Sequence, residues 1–186
     1  MLQPATRVHK AVLVALFAVL TAVGAFIRVP LPGVPFTLQV PAVLLAGVAL
    51  GPWLGAASQL AYIAVGLLGL PVFAAGGGPA YLLTPTFGFL VGFVAAALAT
   101  GVIAGDPARS GLPRLSVALL AGIVAIYLVG VPWFSANLAL YQKQEVPTAI
   151  LWKFASLYLP LDLVKAALLL PVVRVIRRRG GLLARA

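Results

Sequence analysis

From Val29 to Gly105 the chain carries no Asp, Glu, Lys, Arg or His, a run of 77 residues without a charged side chain. A water-soluble fold cannot solvate a surface built from such a stretch, whereas the hydrocarbon core of a bilayer asks for about 20 predominantly apolar residues per helical crossing. Clusters of Gly and Pro interrupt the run, so it reads as several membrane spans joined by tight turns. The whole chain agrees. It is 63% hydrophobic, has three acidic residues in 186, and carries a formal net charge of +10. That composition leaves too few polar groups for a soluble exterior. There is no cysteine, which excludes disulfides and thiolate metal sites.

The pattern predicts an all-α membrane protein, a bundle of six transmembrane helices forming one integral-membrane domain over residues 1–186. Helix 1 runs from about Lys10 to Ile27. Arg7, His9 and Lys10 precede it as the n-region of a signal would, but the apolar run is long and leads straight into Arg28 and a Pro-rich loop, so it reads as the first span. Helices 2 and 3 fill Thr37–Leu50 and Trp53–Leu68 around Gly51-Pro52; both are shorter than a straight crossing needs, which suits tilted or buried segments. An irregular stretch, Gly69–Pro85, follows. Helix 4 spans about Thr86–Ile103, helix 5 about Leu115–Leu140 and helix 6 Pro160–Ile176, with Val146–Tyr158 as a short interfacial helix before it.

Six crossings place both termini on one side, together with Arg7, Lys10, Arg109, Arg114, Arg174, Arg177, Arg178, Arg179 and Arg185; only Arg28, Lys143 and Lys153 fall on the other. The positive-inside rule makes the first side cytoplasmic. The Arg177–Arg179 cluster then reads as a stop-transfer element facing lipid headgroups rather than as a nucleic-acid site.

Within the last span, LYLPLDLVKAALLLPVV, stand an acid and a base, Asp162 and Lys165. A charge at membrane depth costs at least a few kcal/mol, which makes it a functional candidate. Residues three apart share a helical face, about 60° around and roughly 4.5 Å along the axis. The pair therefore offers acceptors and donors to one small polar guest. Lys165 lies nine residues, about 13.5 Å, from Arg174, hence near the midplane with Asp162 in the outer half. A ligand-free alternative stands beside this: Asp162 caps a helix opened by Pro160, with Lys165 as its counter-ion. The loops Arg28–Phe36 and Gly69–Pro85 lie on the same outer side, and irregular backbone at membrane depth is tolerated where it lines a cavity.

Other chemistries fit less well. An intramembrane hydrolase needs a nucleophile with a base or a metal set, yet His9 is the one histidine and no HExxH or acidic metal cluster occurs. No phosphate-binding loop is present either, so ATP hydrolysis would have to come from partners. An ion- or proton-coupled secondary carrier of a small vitamin-like solute is the alternative function, since an Asp–Lys pair can exchange protons. The sequence offers it neither a second intramembrane acid nor an inverted repeat.

Three strings carry a family likeness: GVPFTLQ (Gly33–Gln39), GLPVFAAGGGPAYLLTPTFGFLVGF (Gly69–Phe93) and PLDLVKA (Pro160–Ala166). In this order and separation they resemble BioY, the biotin-binding S component of energy-coupling-factor (ECF) vitamin transporters. The resemblance implies a prokaryotic cytoplasmic-membrane protein that binds biotin from outside without a cofactor. It also implies docking onto a transmembrane coupling protein driven by two cytoplasmic ATPases. Asp162 and Lys165 would contact the ureido ring or the carboxylate, the assignment of ends staying open. Thr37 and Gln39 match the loop-to-helix motif, and Gln39 can both donate and accept. Gly77 and Tyr81 belong to the glycine-rich stretch that would close over the ligand. That stretch has no arginine, leaving Lys165 or Arg28 for the carboxylate, and Phe89 stands where the family commonly has a tyrosine. Tyr62, Phe73, Tyr81 and Tyr158 are candidates for an apolar slot, each with plain packing as its alternative. S components are expected to carry Ala-x-x-x-Ala packing on helix 1; Ala11/Ala15 and Ala18/Ala22 both satisfy it, so the docking register is open. The tryptophans Trp53, Trp133 and Trp152 read as interface anchors, and Gln59 and Asn137 as interhelical hydrogen-bonders.

Overall fold

The computed structural model describes residues 6–29, 35–106, 111–141 and 154–178. Expectations attached to Gly33, Arg109, Lys143, the segment 146–153 with Trp152 and Lys153, Arg179 and Arg185 lie outside the described residues. Five α-helices account for most of the described chain: α1 Arg7–Phe26, α2 Gln39–Leu67, α3 Phe87–Ala104, α4 Leu112–Tyr141 and α5 Leu159–Arg178. Of these, α1 to α4 are long and apolar enough to cross a membrane. Thr6 caps α1, its Oγ1 accepting the His9 N–H at 3.2 Å, which satisfies one of the orphan donors of a helix start.

The expected helices 2 and 3 are the two arms of α2, 39–50 and 52–67, which fold back on each other at Gly51-Pro52. At Gly51 the backbone takes φ 77°, ψ 178°, a conformation open essentially to glycine, and Pro52 then starts the second arm. A β-carbon placed on Gly55 would lie 2.9 Å from the Gly47 Cα, so the arms 39–50 and 52–67 meet backbone to backbone. Residues eight apart in a straight helix would be about 12 Å apart. The shortness of these arms is explained by burial: most of α2 is covered by α1, α3 and α5 rather than spanning alone.

The Pro-rich loop after α1 is not wholly irregular. Arg28–Val29 (β1) and Phe36–Thr37 (β2) pair antiparallel, Arg28 opposite Thr37 and Val29 opposite Phe36. The Leu38 N–H donates to Gly24 O at 3.1 Å and Ile27 O at 3.2 Å, which pins the start of α2 to the end of α1. The second irregular stretch is also built. Phe73 and Gly76 form a bridge, Gly78 N–H donates to Gly66 O at 2.7 Å, and Pro79–Leu83 makes a 3₁₀ turn before α3.

A π-helical turn, Phe154–Tyr158, runs directly into α5. Helical backbone thus begins before Pro160, and Asp162 sits a turn or more inside the helical run. One stripe of α5, Asp162, Lys165, Leu169, Val173 and Arg177, is buried against the bundle. Its two charged ends are 15 residues, about 22 Å, apart. At the Arg177 end, Arg177 Nη1 donates to Gly105 O at 2.7 Å and Arg114 Nε to Ile103 O at 2.6 Å, cations capping the carbonyl terminus of α3.

Candidate ligand-binding site

At the opposite end from Arg177, the starts of α2, α3 and α5 and the middle of α4 surround a cavity with about 660 Å³ of free space, mouth included. Its wall is chiefly apolar and aromatic: Phe36, Val40, Phe89, Leu90, Phe93 and Ile126. Polar groups enter from few directions, the usual build of a small-molecule pocket.

Asp162 and Lys165, 7% and 8% exposed, lie in this wall and form an ion pair through Asp162 Oδ1. The other oxygen, Oδ2, accepts from the Tyr127 hydroxyl at 2.7 Å. Lys165 Nζ donates to the Thr37 carbonyl at 2.9 Å and stands 4.1 Å from the centre of the Phe36 ring. The ammonium is thereby held by an anion, a carbonyl and an aromatic face, each favourable to a cation shielded from water. Both carboxylate oxygens are held by side chains, one of them on another helix, which is not the geometry of a helix cap. Each oxygen keeps lone-pair capacity for a donor arriving in the cavity.

Thr37 and Gln39 also line the cavity. Thr37 Oγ1 donates to Gln39 Oε1 at 3.0 Å, and Gln39 Nε2 donates to the Tyr62 hydroxyl at 2.9 Å, which in turn donates to Val72 O at 3.1 Å. This chain of bonds fixes the Gln39 amide. Tyr81 reaches the wall from the 3₁₀ turn, where its hydroxyl accepts from Thr86 Oγ1 at 3.3 Å.

Tyr158, from the π-helical turn ahead of α5, also lines the cavity, and the remaining sequence candidates lie elsewhere. Tyr62 and Phe73 are one layer behind the wall: Phe73 packs edge-on to Tyr62 at 5.4 Å and against Tyr81 at 4.5 Å. They position Gln39 and Tyr81. Gly77 is exposed and outside the cavity lining, and a β-carbon there would run into the Leu70 carbonyl. Arg28 is exposed on β1 and outside the cavity lining. On α1, Ala11 and Ala15 are exposed, whereas Ala18 and Ala22 are partly buried against the main core. Gln59 joins Thr21 and Ser58 in a buried polar group between α1 and α2.

Tyr127, Phe36 and Thr86 escaped the sequence reading. Tyr127 brings a hydroxyl into the same cavity where Phe89 lacks one, the two rings lying edge-on at 6.4 Å. Its one sequence signal is a hydroxyl-bearing aromatic inside the apolar run AGIVAIYLVG.

Fold and site together define a multi-pass helical membrane protein with a solute pocket near one end of the bundle. A family model described as the BioY family matches residues 1–181, and the chain belongs to that family. It is 50% identical over 134 residues to the probable biotin transporter BioY of Lysinibacillus sphaericus, covering 72% of this chain and 68% of that one. With the biotin transporter BioY of Rhodobacter capsulatus it shares 40% identity over 190 residues, 93% and 96% of the two chains. The crystal structure of the S-component for biotin from an ECF-type ABC transporter superposes with a TM-score of 0.80 at 24% identity, covering 96% of this chain and 97% of that one. That likeness is one of fold.

Proposed function

We propose that this chain binds biotin and serves as the substrate-specific subunit of an ECF-type transporter in the cytoplasmic membrane of a prokaryote. The observation that carries the reading is the Asp162–Lys165–Tyr127 cluster at the polar corner of an otherwise apolar cavity, in a chain of the BioY family. A bicyclic ureido compound with an aliphatic acid tail matches such a wall, its N–H and C=O groups meeting a carboxylate, an ammonium and the Gln39 amide. The apolar side chains would take the thioether ring and the methylene chain.

The topology follows from charge. With the two arms of α2 counted separately, six crossings form one domain with both termini in the cytoplasm. The end that bears Arg7, Lys10, Arg114, Arg174 and Arg177 then faces inward, and the cavity opens outward. Energy comes from two partner ATPases through a transmembrane coupling protein, with α1 and its small residues as the docking helix. Asp162 and Lys165 are the polar anchors, Thr37, Gln39 and Tyr81 their companions in the wall. Calorimetric titration of the detergent-purified protein with biotin, thiamine and riboflavin tests the reading. Saturable binding of biotin alone is expected; saturation by another vitamin, or by none in folded protein, overturns it.

A further inference from the structure

The loop that carries Tyr81 is tied to α4 at two consecutive carbonyls. Asn137 Nδ2 donates to Leu83 O at 2.8 Å, and Trp133 Nε1 donates to Thr84 O at 3.3 Å. The two donors stand four residues apart, hence on one face of α4 and one turn from each other. Around them the fit is close. The Trp133 ring packs against Phe87 at 5.7 Å, and Gly88 leaves the space its β-carbon would take to the Trp133 side chain. From the clamped peptide the connection to the cavity is short: Thr84 Oγ1 donates to Tyr81 O at 2.7 Å, and Thr86 Oγ1 donates to the Tyr81 hydroxyl at 3.3 Å. Tyr81 and Thr86 both line the cavity; Trp133 and Asn137 do not.

We propose that Trp133 and Asn137 are positioning residues for the site, a clamp on the Leu83-Thr84 peptide that holds Tyr81 and Thr86 in the cavity wall and thereby sets how long a bound solute stays. A loop leaves two backbone carbonyls to be satisfied, and here side chains of the neighbouring helix do so in place of lipid headgroup or water. Asn137 is 3% exposed, and its Oδ1 has no partner among the described residues. Its amide N–H is the group that holds Leu83.

The inference rests on the biotin reading for its ligand, and the test separates the two. Asn137→Leu, Trp133→Phe and their combination are purified in detergent, the phenylalanine keeping an aromatic ring against Phe87 but losing the indole's pyrrole ring with its N–H. In ligand-free protein, hydrogen exchange of the peptide spanning Gly76–Thr86 reports the clamp directly. Dissociation of labelled biotin reports its consequence. Expected are faster exchange in that peptide, dissociation accelerated about fivefold in each single variant and further in the double variant, with thermal midpoints close to wild type, and partial rescue by Asn137→Gln. Unchanged loop exchange in the double variant, or a dissociation rate within twofold of wild type despite faster exchange, overturns the proposal. Should the wild type retain no biotin, the functional reading fails and loop exchange alone decides the clamp.

Discussion

Tyr127 donates its hydroxyl to Asp162 Oδ2 at 2.7 Å, joining α4 to α5 across 35 residues of sequence at the polar corner of the cavity. Lys165 occupies the other oxygen. The carboxylate is thus held from two sides before any solute arrives, and such preorganisation favours tight binding by lowering the ordering cost.

Removing the Tyr127 hydroxyl tests that arrangement. A hydrogen bond to a charged group contributes about 1.5–3 kcal/mol, so Tyr127→Phe is expected to weaken biotin binding by roughly tenfold to a hundredfold. Calorimetric titration of the variant beside wild type checks the value. An unchanged affinity would detach Tyr127 from the site.

Breaking the ion pair from one side strands a charge where water is scarce. Asp162→Asn and Lys165→Ala are each expected to weaken binding by several kcal/mol at most, up to about 3–5 kcal/mol by analogy with buried pairs, while the fold persists. Lys165→Ala also frees the Thr37 carbonyl and the Phe36 ring, so it should loosen the Phe36–Gln39 segment as well. Binding isotherms together with thermal unfolding separate the two effects, and retention of full affinity in both variants would make the pair structural.

The reversal in α2 depends on glycine at two positions. Gly51→Ala forces a residue with a β-carbon into a conformation that costs on the order of 1–3 kcal/mol, and Gly55→Leu pushes the two arms apart. Lower thermal midpoints are expected for both, with the larger fall in Gly55→Leu because bulk there meets backbone that cannot rotate away. Equal midpoints for Gly55→Leu and wild type would mean that the arms are not packed in this way in detergent.

The proposed docking role of α1 divides the alanines. Ala15 is exposed and Ala18 packs partly on the core, so Ala15→Trp should spare biotin binding and abolish ATP-dependent uptake in cells that supply the coupling protein and ATPases. Ala18→Trp should lower thermal stability too. Wild-type uptake by Ala15→Trp would move the docking face off this helix.

Much of the architecture was legible in local pattern. Gly51-Pro52 marks a break because proline cannot continue a helix without loss and glycine alone takes the required dihedrals. The two halves of that run stood out as short for the same reason, although that they fold onto each other is a matter of Gly47 meeting Gly55. The three-residue spacing of Asp162 and Lys165 placed them on one face from sequence alone. The strand pair Arg28–Val29 with Phe36–Thr37 was hidden in a Pro-rich loop, since two-residue strands leave no periodicity to read.

By itself the sequence determined that the chain spans a membrane, where its turns fall, and that one helix face carries an acid beside a base. Which side chains gather around that pair was decided only by tertiary packing. In lipid, a helix is apolar on its inner and outer faces alike, so hydrophobic periodicity no longer tells inside from outside. Tyr127 and Phe36 in the wall and Tyr62 and Phe73 behind it are alike in local sequence signal, aromatic residues in apolar surroundings. Their roles separate because α3 packs closely on both α2 and α4, Gly47 against the Ala97 carbonyl and Gly92 against the Ile126 carbonyl, and those contacts come from residues far apart along the chain.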